Sequence, residues 1–399
     1  MELLKPWVKR DAWGSTDLIP EFLGTAADGD PWSELWYGTH VDGPTGTSAG
    51  VNLREFIQRD PAPALGSGVV YAFGDQLPFM AKLIATSQPL SLQVHPTKEI
   101  AREGYLREEL LGVERTSPNR SYRDMNHKPE MLYALTDFEA LVGFRVPRRA
   151  RQLLGGLDCE LAENLRRRLN LSTVRGGMRS LVAWLFDPDS PVTAEAVSEF
   201  VEASAARLAS GNTPSVRTDR MIARLAELYP GDPGIVVAFL MNPVSLRPGE
   251  CVYIPPRMIH SYSSGMGIEV MATSDNVIRA GLTQKHVDAA QLVEIAEFSA
   301  LPPMRLAPEH PTESTDRFFA PAQEFWLSAT HAEGSEVWVP GEGPRIVICT
   351  EGTVRVRTEL PFGGREALEL QRGEAAFVAA AEEKLYVSGA GRIAQCATP

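Results

Sequence analysis

Apolar and polar positions change rhythm several times along the chain. From Asp75 to Pro96 (DQLPFMAKLIATSQPLSLQVHP) an apolar run is bounded by Pro78 and Pro89, and Leu90 to Val94 alternates with period two, so both pieces predict extended chain. Met131 to Arg145 (MLYALTDFEALVGFR) is rich in apolar and aromatic residues and predicts more sheet. Between Pro147 and about Asp232 the period lengthens: SPVTAEAVSEFVEASAARLAS and TDRMIARLAELY space their apolar residues as helices do. Strand text then resumes in GIVVAFLMNPVSLRPGECVYIPPRMIHSYSSGMGIEVMATSDN, cut by Gly and Pro in the manner of an antiparallel barrel or sandwich.

A last block, from about Leu301 to Pro399, carries RIVICTEGTVRVRTEL, LELQRGEAAFVAAA and KLYVSGAGRIAQCA, again alternating strands joined by glycine turns. No solenoid-length repeat is present. LRPGECVYIPP and LQRGEAAFVAA nevertheless share a Leu-x-x-Gly-Glu turn followed by a strand. Two related jelly-roll barrels of the cupin type explain this, the second lacking an equivalent histidine after its turn. The expected organisation is therefore mainly β with an α-helical insertion: one cupin-type barrel over 1–147 plus 233–300, a helical domain over 148–232, and a second cupin-like barrel over 301–399.

Composition adds limits. At 399 residues, 44% hydrophobic and 23% charged, the chain reads as an ordinary globular protein. It shows no signal-type start and no apolar run long enough to span a membrane, so a cytoplasmic location without membrane partners is expected. A monomer is expected. Cys159, Cys251, Cys349 and Cys396 are scattered, which argues against disulfides or a cysteine metal site. The formal charge of -12 disfavours nucleic acid but leaves room for a small phosphorylated ligand where basic residues converge.

Four pieces carry chemistry. In Ser91-Leu92-Gln93-Val94-His95-Pro96, Gln93 and His95 are two apart on a strand and face one side, where an amide oxygen and an imidazole nitrogen can share a metal. Asn126-His127-Lys128-Pro129-Glu130 crowds three ionisable groups beside a strand, a costly arrangement if buried without a partner such as a cation. Pro255 and Pro256 set the chain before His260 at a strand start. Gln93, His95, Glu130 and His260 together make an N/O donor set that suits zinc and tolerates manganese, cobalt or iron. In GIEVMATSDNVIRAGLTQK (267–285), an acid, an amide, an arginine and a lysine follow a strand closely enough to serve sugar hydroxyls and a phosphate. His40, His286, His310 and His331 have no metal-like spacing and are expected to be packed or solvated.

These pieces, in this order, resemble the type I mannose-6-phosphate isomerases, a metalloenzyme family of the cupin superfamily. Asp11-Ala12-Trp13-Gly14 and the run Trp32 to His40 (WSELWYGTH) look like that family's N-terminal motifs, and the resemblance extends from about residue 6 to 300. It implies one zinc per chain on Gln93, His95, Glu130 and His260. It also implies interconversion of mannose 6-phosphate and fructose 6-phosphate through an enediolate, feeding mannose activation and GDP-mannose synthesis. Arg279 sits where the family assigns its active-site arginine and would stabilise charge developing on an oxygen. For the proton-transferring base Glu269, Lys128, His127 and Asp275 stay open, Glu269 favoured. Ser91, Lys82, Lys128 and Lys285 are candidates to hold the substrate. A metal-dependent cupin oxygenase and a non-catalytic sugar-binding cupin are the competing readings.

Overall fold

Phe79–Thr86, inside the first apolar run, is a strand buried along its whole length. It pairs antiparallel with Glu34–Tyr37 on one side and His260–Ala272 on the other, within an 11-stranded sheet. The computed structural model describes residues 1–170, 176–359 and 364–399; residues 171–175 of the expected helical domain and Leu360 at the end of a predicted strand lie outside them. A second, 9-stranded antiparallel sheet holds the strands of the last block from Glu309 onward. The chain is thus mainly β, with the helices Pro147–Leu154, Glu160–Asn170, Gly176–Leu185, Ala194–Ala209 and Val216–Leu228 lying between strands of the first sheet.

Period two decides what each face of the first sheet touches. Phe79, Ala81, Leu83 and Ala85, with Leu35, Tyr37, Met131, Tyr133, Ile268 and Val270, pack into a core shared with Phe318, Ile346, Ile348, Phe377 and Cys396 of the second sheet. The alternate residues, Met80, Lys82, Ile84, Glu34, Trp36, Glu269 and Met271, face a cavity. Apolar burial on one face thereby fixes polar side chains on the other, because a one-residue slip would exchange the two sets.

The repeated turn is real in geometry. Gly249 and Gly373 both have positive φ, 90° and 92°. Glu250 accepts from Arg247 N at 2.9 Å and Glu374 from Gln371 N at 2.8 Å. Each turn leads into a short buried strand, Cys251–Ile254 and Ala375–Val378.

One expectation is corrected. GIVVAF, expected as strand, is the helix Gly234–Phe239, and the strand begins at Met241. A fully buried six-residue apolar run has no polar face to betray its period, so helix and strand are indistinguishable from pattern there. Two short strands pair away from their sequence neighbours: Glu2–Lys5 with Ala375–Val378 in the second sheet, and Met304–Leu306 with Cys251–Ile254 in the first. Backbone pairing, which no local composition encodes, sets these memberships.

Candidate metal centre and active site

Gln93–Val94 is a two-residue strand, shorter than the Leu90 to Val94 alternation predicts, yet its neighbours carry the chemistry. Gln93 lies in register with His260 on one side and with Arg279 on the other. Leu90 N donates to Tyr262 O and Leu92 N to Gly281 O, so the unassigned residues are still tied at both edges. Glu130 opens the strand Glu130–Ala134, opposite Ile254 and Met271. His260 follows a tight turn in which Met258 N donates to Pro255 O. Arg257, at φ 72°, takes the left-handed conformation that side-chain-bearing residues usually avoid. Its N–H donates to His95 O at 2.7 Å and its Nε to Ile295 O at 2.7 Å, which hold the turn and with it the strand start at His260.

The ligand atoms of His95, Glu130 and His260 lie within 4.8 Å of one another, and all three residues are buried. His95 Nδ1 is 2.7 Å from Asn276 O and His260 Nδ1 is 3.0 Å from Met258 O. A carbonyl only accepts, so each Nδ1 carries a hydrogen and each ring turns its Nε2 toward Glu130. Those Nε2 atoms stand 3.2 and 3.1 Å from Glu130 oxygens, yet His95 Nε2, His260 Nε2 and Glu130 Oε2 make no hydrogen bond. Three buried, mutually facing, unsatisfied acceptors would be costly unless a cation sits among them, and this donor set fits a divalent metal. Burial first, then the Lys128 charge, pushes the His95 imidazole down to about 4. Burial would raise Glu130, but the Lys128 charge, 2.9 Å away, outweighs it and holds the carboxyl well below the usual range.

Asn276, fully buried, supports this arrangement from behind. Its Oδ1 accepts from Arg123 N at 2.7 Å and Asp124 N at 3.2 Å; its Nδ2 donates to Asp124 O at 2.9 Å and Asn126 O at 2.8 Å. The side chain thereby locks the backbone whose carbonyl orients His95. Asn276→Ala is expected to weaken zinc binding by about 10- to 100-fold, the usual cost of losing such an outer contact. Competition against a chelator of known affinity checks it, and an unchanged affinity would mean that His95 is oriented without this side chain.

The cavity in front of the metal site has a volume of about 950 Å³ and is lined by Ser91, Gln93, Lys82, Lys128, Glu269, Asp275, Arg279 and Lys285. Lys82 Nζ is 3.2 Å from Glu269 Oε2 and 3.7 Å from Glu34 Oε1. Burial would lower Lys82, but Glu34, Glu269 and Glu130 outweigh it and keep the amine charged. Glu269 is raised by burial first and by the Glu130 charge next, against Lys82, and it accepts from Tyr262 OH at 2.8 Å. Asp275 is held down at about 2: burial opposes, while His40, with Nε2 2.9 Å away, prevails. Arg279 is lowered by burial and by Arg123.

His127 stands apart from the other candidates. Its Nε2 is 2.6 Å from Glu324 Oε1, and it is not among the residues that line the cavity. It neighbours Lys128 in sequence but turns to Glu324, nearly two hundred residues away in the chain, which explains why sequence proximity misplaces it. Sequence reasoning missed Glu34 and treated His40 as a packed histidine. Glu34 and Trp36 share the cavity face of Glu34–Tyr37, with Trp36 Nε1 donating to Glu34 Oε2 at 2.5 Å. An acid flanked by alternating apolar residues on a strand was the signal available.

Comparison with known proteins places the chain. Residues 1–147 match the family model described as phosphomannose isomerase type I, catalytic domain. The chain is 32% identical over 409 residues to mannose-6-phosphate isomerase of Escherichia coli (strain K12), covering 99% of each, and 32% identical to mannose-6-phosphate isomerase 1 of Arabidopsis thaliana, covering 90% of this chain and 85% of that one. The crystal structure of the Salmonella typhimurium mannose 6-phosphate isomerase, bound to fructose 6-phosphate and zinc, superposes with a TM-score of 0.89 at 32% identity, covering 100% of this chain and 99% of that one. Whole-length identity at this level, together with a matching catalytic-domain model, establishes that the chain belongs to the type I phosphomannose isomerase family.

Proposed function

We propose that this protein is a zinc-dependent aldose-ketose isomerase that interconverts mannose 6-phosphate and fructose 6-phosphate. One observation carries the reading: three buried acceptors with no hydrogen bond, on His95, Glu130 and His260, border a cavity lined by Lys82, Lys128, Arg279 and Lys285. The first feature calls for a cation and the second for an anionic substrate. Among the described residues no helix is long and apolar enough to cross a membrane.

The isomerisation moves a proton between C1 and C2 of the open-chain sugar and passes through an enediolate whose charge must be met. Gln93, His95, Glu130 and His260 would hold the zinc ion, which would supply Lewis-acid stabilisation of negative charge developing on the sugar. Arg279, set beside Gln93 by strand register, offers a fixed guanidinium to the enediolate oxygen. Glu269 is the proposed base: it lines the cavity, burial raises its affinity for a proton, and Tyr262 fixes one of its oxygens. Asp275, held near 2, is too weak a base at neutral pH and serves better to bind a hydroxyl. Lys82, Ser91, Lys128 and Lys285 are assigned to hold the sugar and phosphate oxygens. The exposed Lys285 amine, 3.9 Å from Asp11, keeps the freedom a phosphate contact at the cavity mouth needs.

We also read the two sheets as two cupin-type barrels, the catalytic one over 1–147 plus 233–300, the second over 301–399, with the helical domain at 148–232 between halves of the first. The matched turns at Gly249 and Gly373 support a common origin for the two. No observation favours an oxygenase or a binding-only cupin. A coupled assay of fructose 6-phosphate formed from mannose 6-phosphate tests the reading. Turnover by the zinc-loaded protein is expected, and its absence from a folded, loaded sample would turn the proposal toward binding alone.

A further inference from the structure

Pro89 and Leu282 line the catalytic cavity and also a second, smaller pocket of about 210 Å³. Its roof is the helix Val216–Leu228, whose Arg217, Arg220 and Arg224 recur at helical spacing and so present one face. Its floor carries the hydroxyls of Ser263 and Ser264 from the strand His260–Ala272, while the Ser261 hydroxyl beside them donates to Leu90 O at 2.7 Å. A fourth arginine, Arg145, reaches in from the end of the neighbouring strand, 6% exposed. Its polar contacts are neutral: Nε donates to Phe239 O at 3.1 Å and one terminal nitrogen to Thr218 Oγ1 at 3.2 Å.

The lining holds one carboxylate, Glu139, and that is taken by Arg217. Among the described residues, Arg145, Arg220 and Arg224 make no ion pair, although the chain as a whole carries a formal charge of -12. Burial first, then Arg149 and Arg217, pushes Arg145 down to about 10. Arg145 is a buried cation with no anion beside it, and the exposed Arg220 and Arg224, the latter donating to Ser87 O, add positive charge at the rim, so an anion in the pocket would be held favourably. Arginine forks and serine hydroxyls are the donors that match phosphate oxygens.

We propose that this pocket is a second anion site, separate from the catalytic cavity, that takes a dianionic phosphoryl group as the free ion or as a small monoester. Its volume holds a phosphate with a few further atoms and excludes a polynucleotide. This assignment is independent of the isomerase reading, since neither Arg220 nor Arg224 lines the catalytic cavity.

Equilibrium dialysis of the full-length, zinc-loaded protein against labelled inorganic phosphate, and separately glycerol 3-phosphate, at fixed ionic strength tests it. The wild type is expected to take up one more equivalent per chain than Arg220→Glu/Arg224→Glu, while isomerase turnover stays at the wild-type level. Arg220→Lys/Arg224→Lys is expected to retain the site, weakened about tenfold or more by loss of the forked geometry. Uptake of both ligands identifies the phosphoryl group as what is recognised; uptake of inorganic phosphate alone identifies the free ion. Should the charge-reversed variant not fold, Arg220→Ser, which removes an exposed side chain with no ion pair, gives the same comparison. Equal uptake by wild type and a folded variant overturns the proposal, as does the absence of saturable uptake of either ligand by the wild type.

Discussion

Glu130→Gln is expected to lower kcat/KM for mannose 6-phosphate by on the order of 10³-fold or more, because it removes the only negative charge among the proposed metal donors. The wild-type carboxylate faces both imidazoles at 3.1–3.2 Å and the Lys128 amine at 2.9 Å. Glutamine keeps the volume but not the charge, so it lowers metal affinity and leaves Lys128 as a buried cation without its partner. Breaking a buried pair on one side costs about 3–5 kcal/mol of stability. Thermal midpoint, zinc content per chain and steady-state kinetics should fall together. A variant with full zinc occupancy and near-normal turnover would remove Glu130 from the donor set.

Arg279→Ala should separate chemistry from folding. Arg279 lines the cavity and forms no ion pair among the described residues; its guanidinium is lowered by burial and by Arg123, with Asp11 opposing. Removing it relieves repulsion and breaks no salt bridge, so the thermal midpoint and zinc content are expected to hold. The enediolate loses a preorganised donor, which costs about 10²- to 10³-fold in kcat. Arg279→Lys, with a single ammonium in place of a fork, should recover only part of that. If kcat is unchanged and only KM rises, Arg279 binds the phosphate or a hydroxyl in ground and transition states alike.

Legibility in the sequence followed the local rules. Strand parity is a two-residue rule, and the cavity face of the first sheet follows it at Lys82, Glu34 and Glu269. The turn pair at Gly249 and Gly373 was visible because a Gly-Glu turn leaves a fixed text. What parity cannot say is which strands become neighbours. Glu2–Lys5 joining the second sheet, Asn276 reaching back across the 123–126 loop, and His127 pairing with Glu324 all depend on contacts between residues distant in sequence. The fully apolar Gly234–Phe239 carried no period at all. The arginine pocket went unread for the same reason, since Arg145 and the Arg217 to Arg224 face meet only after the helices fold back onto the sheet.

The central claim is that isomerisation depends on one divalent metal at His95, Glu130 and His260. Its most direct test is the coupled mannose 6-phosphate assay on purified protein, first as isolated, then stripped with chelator, then titrated with zinc. Activity is expected to vanish on stripping and to return linearly, reaching its maximum at one zinc per chain. Turnover that persists in protein shown to be free of metal would contradict the account.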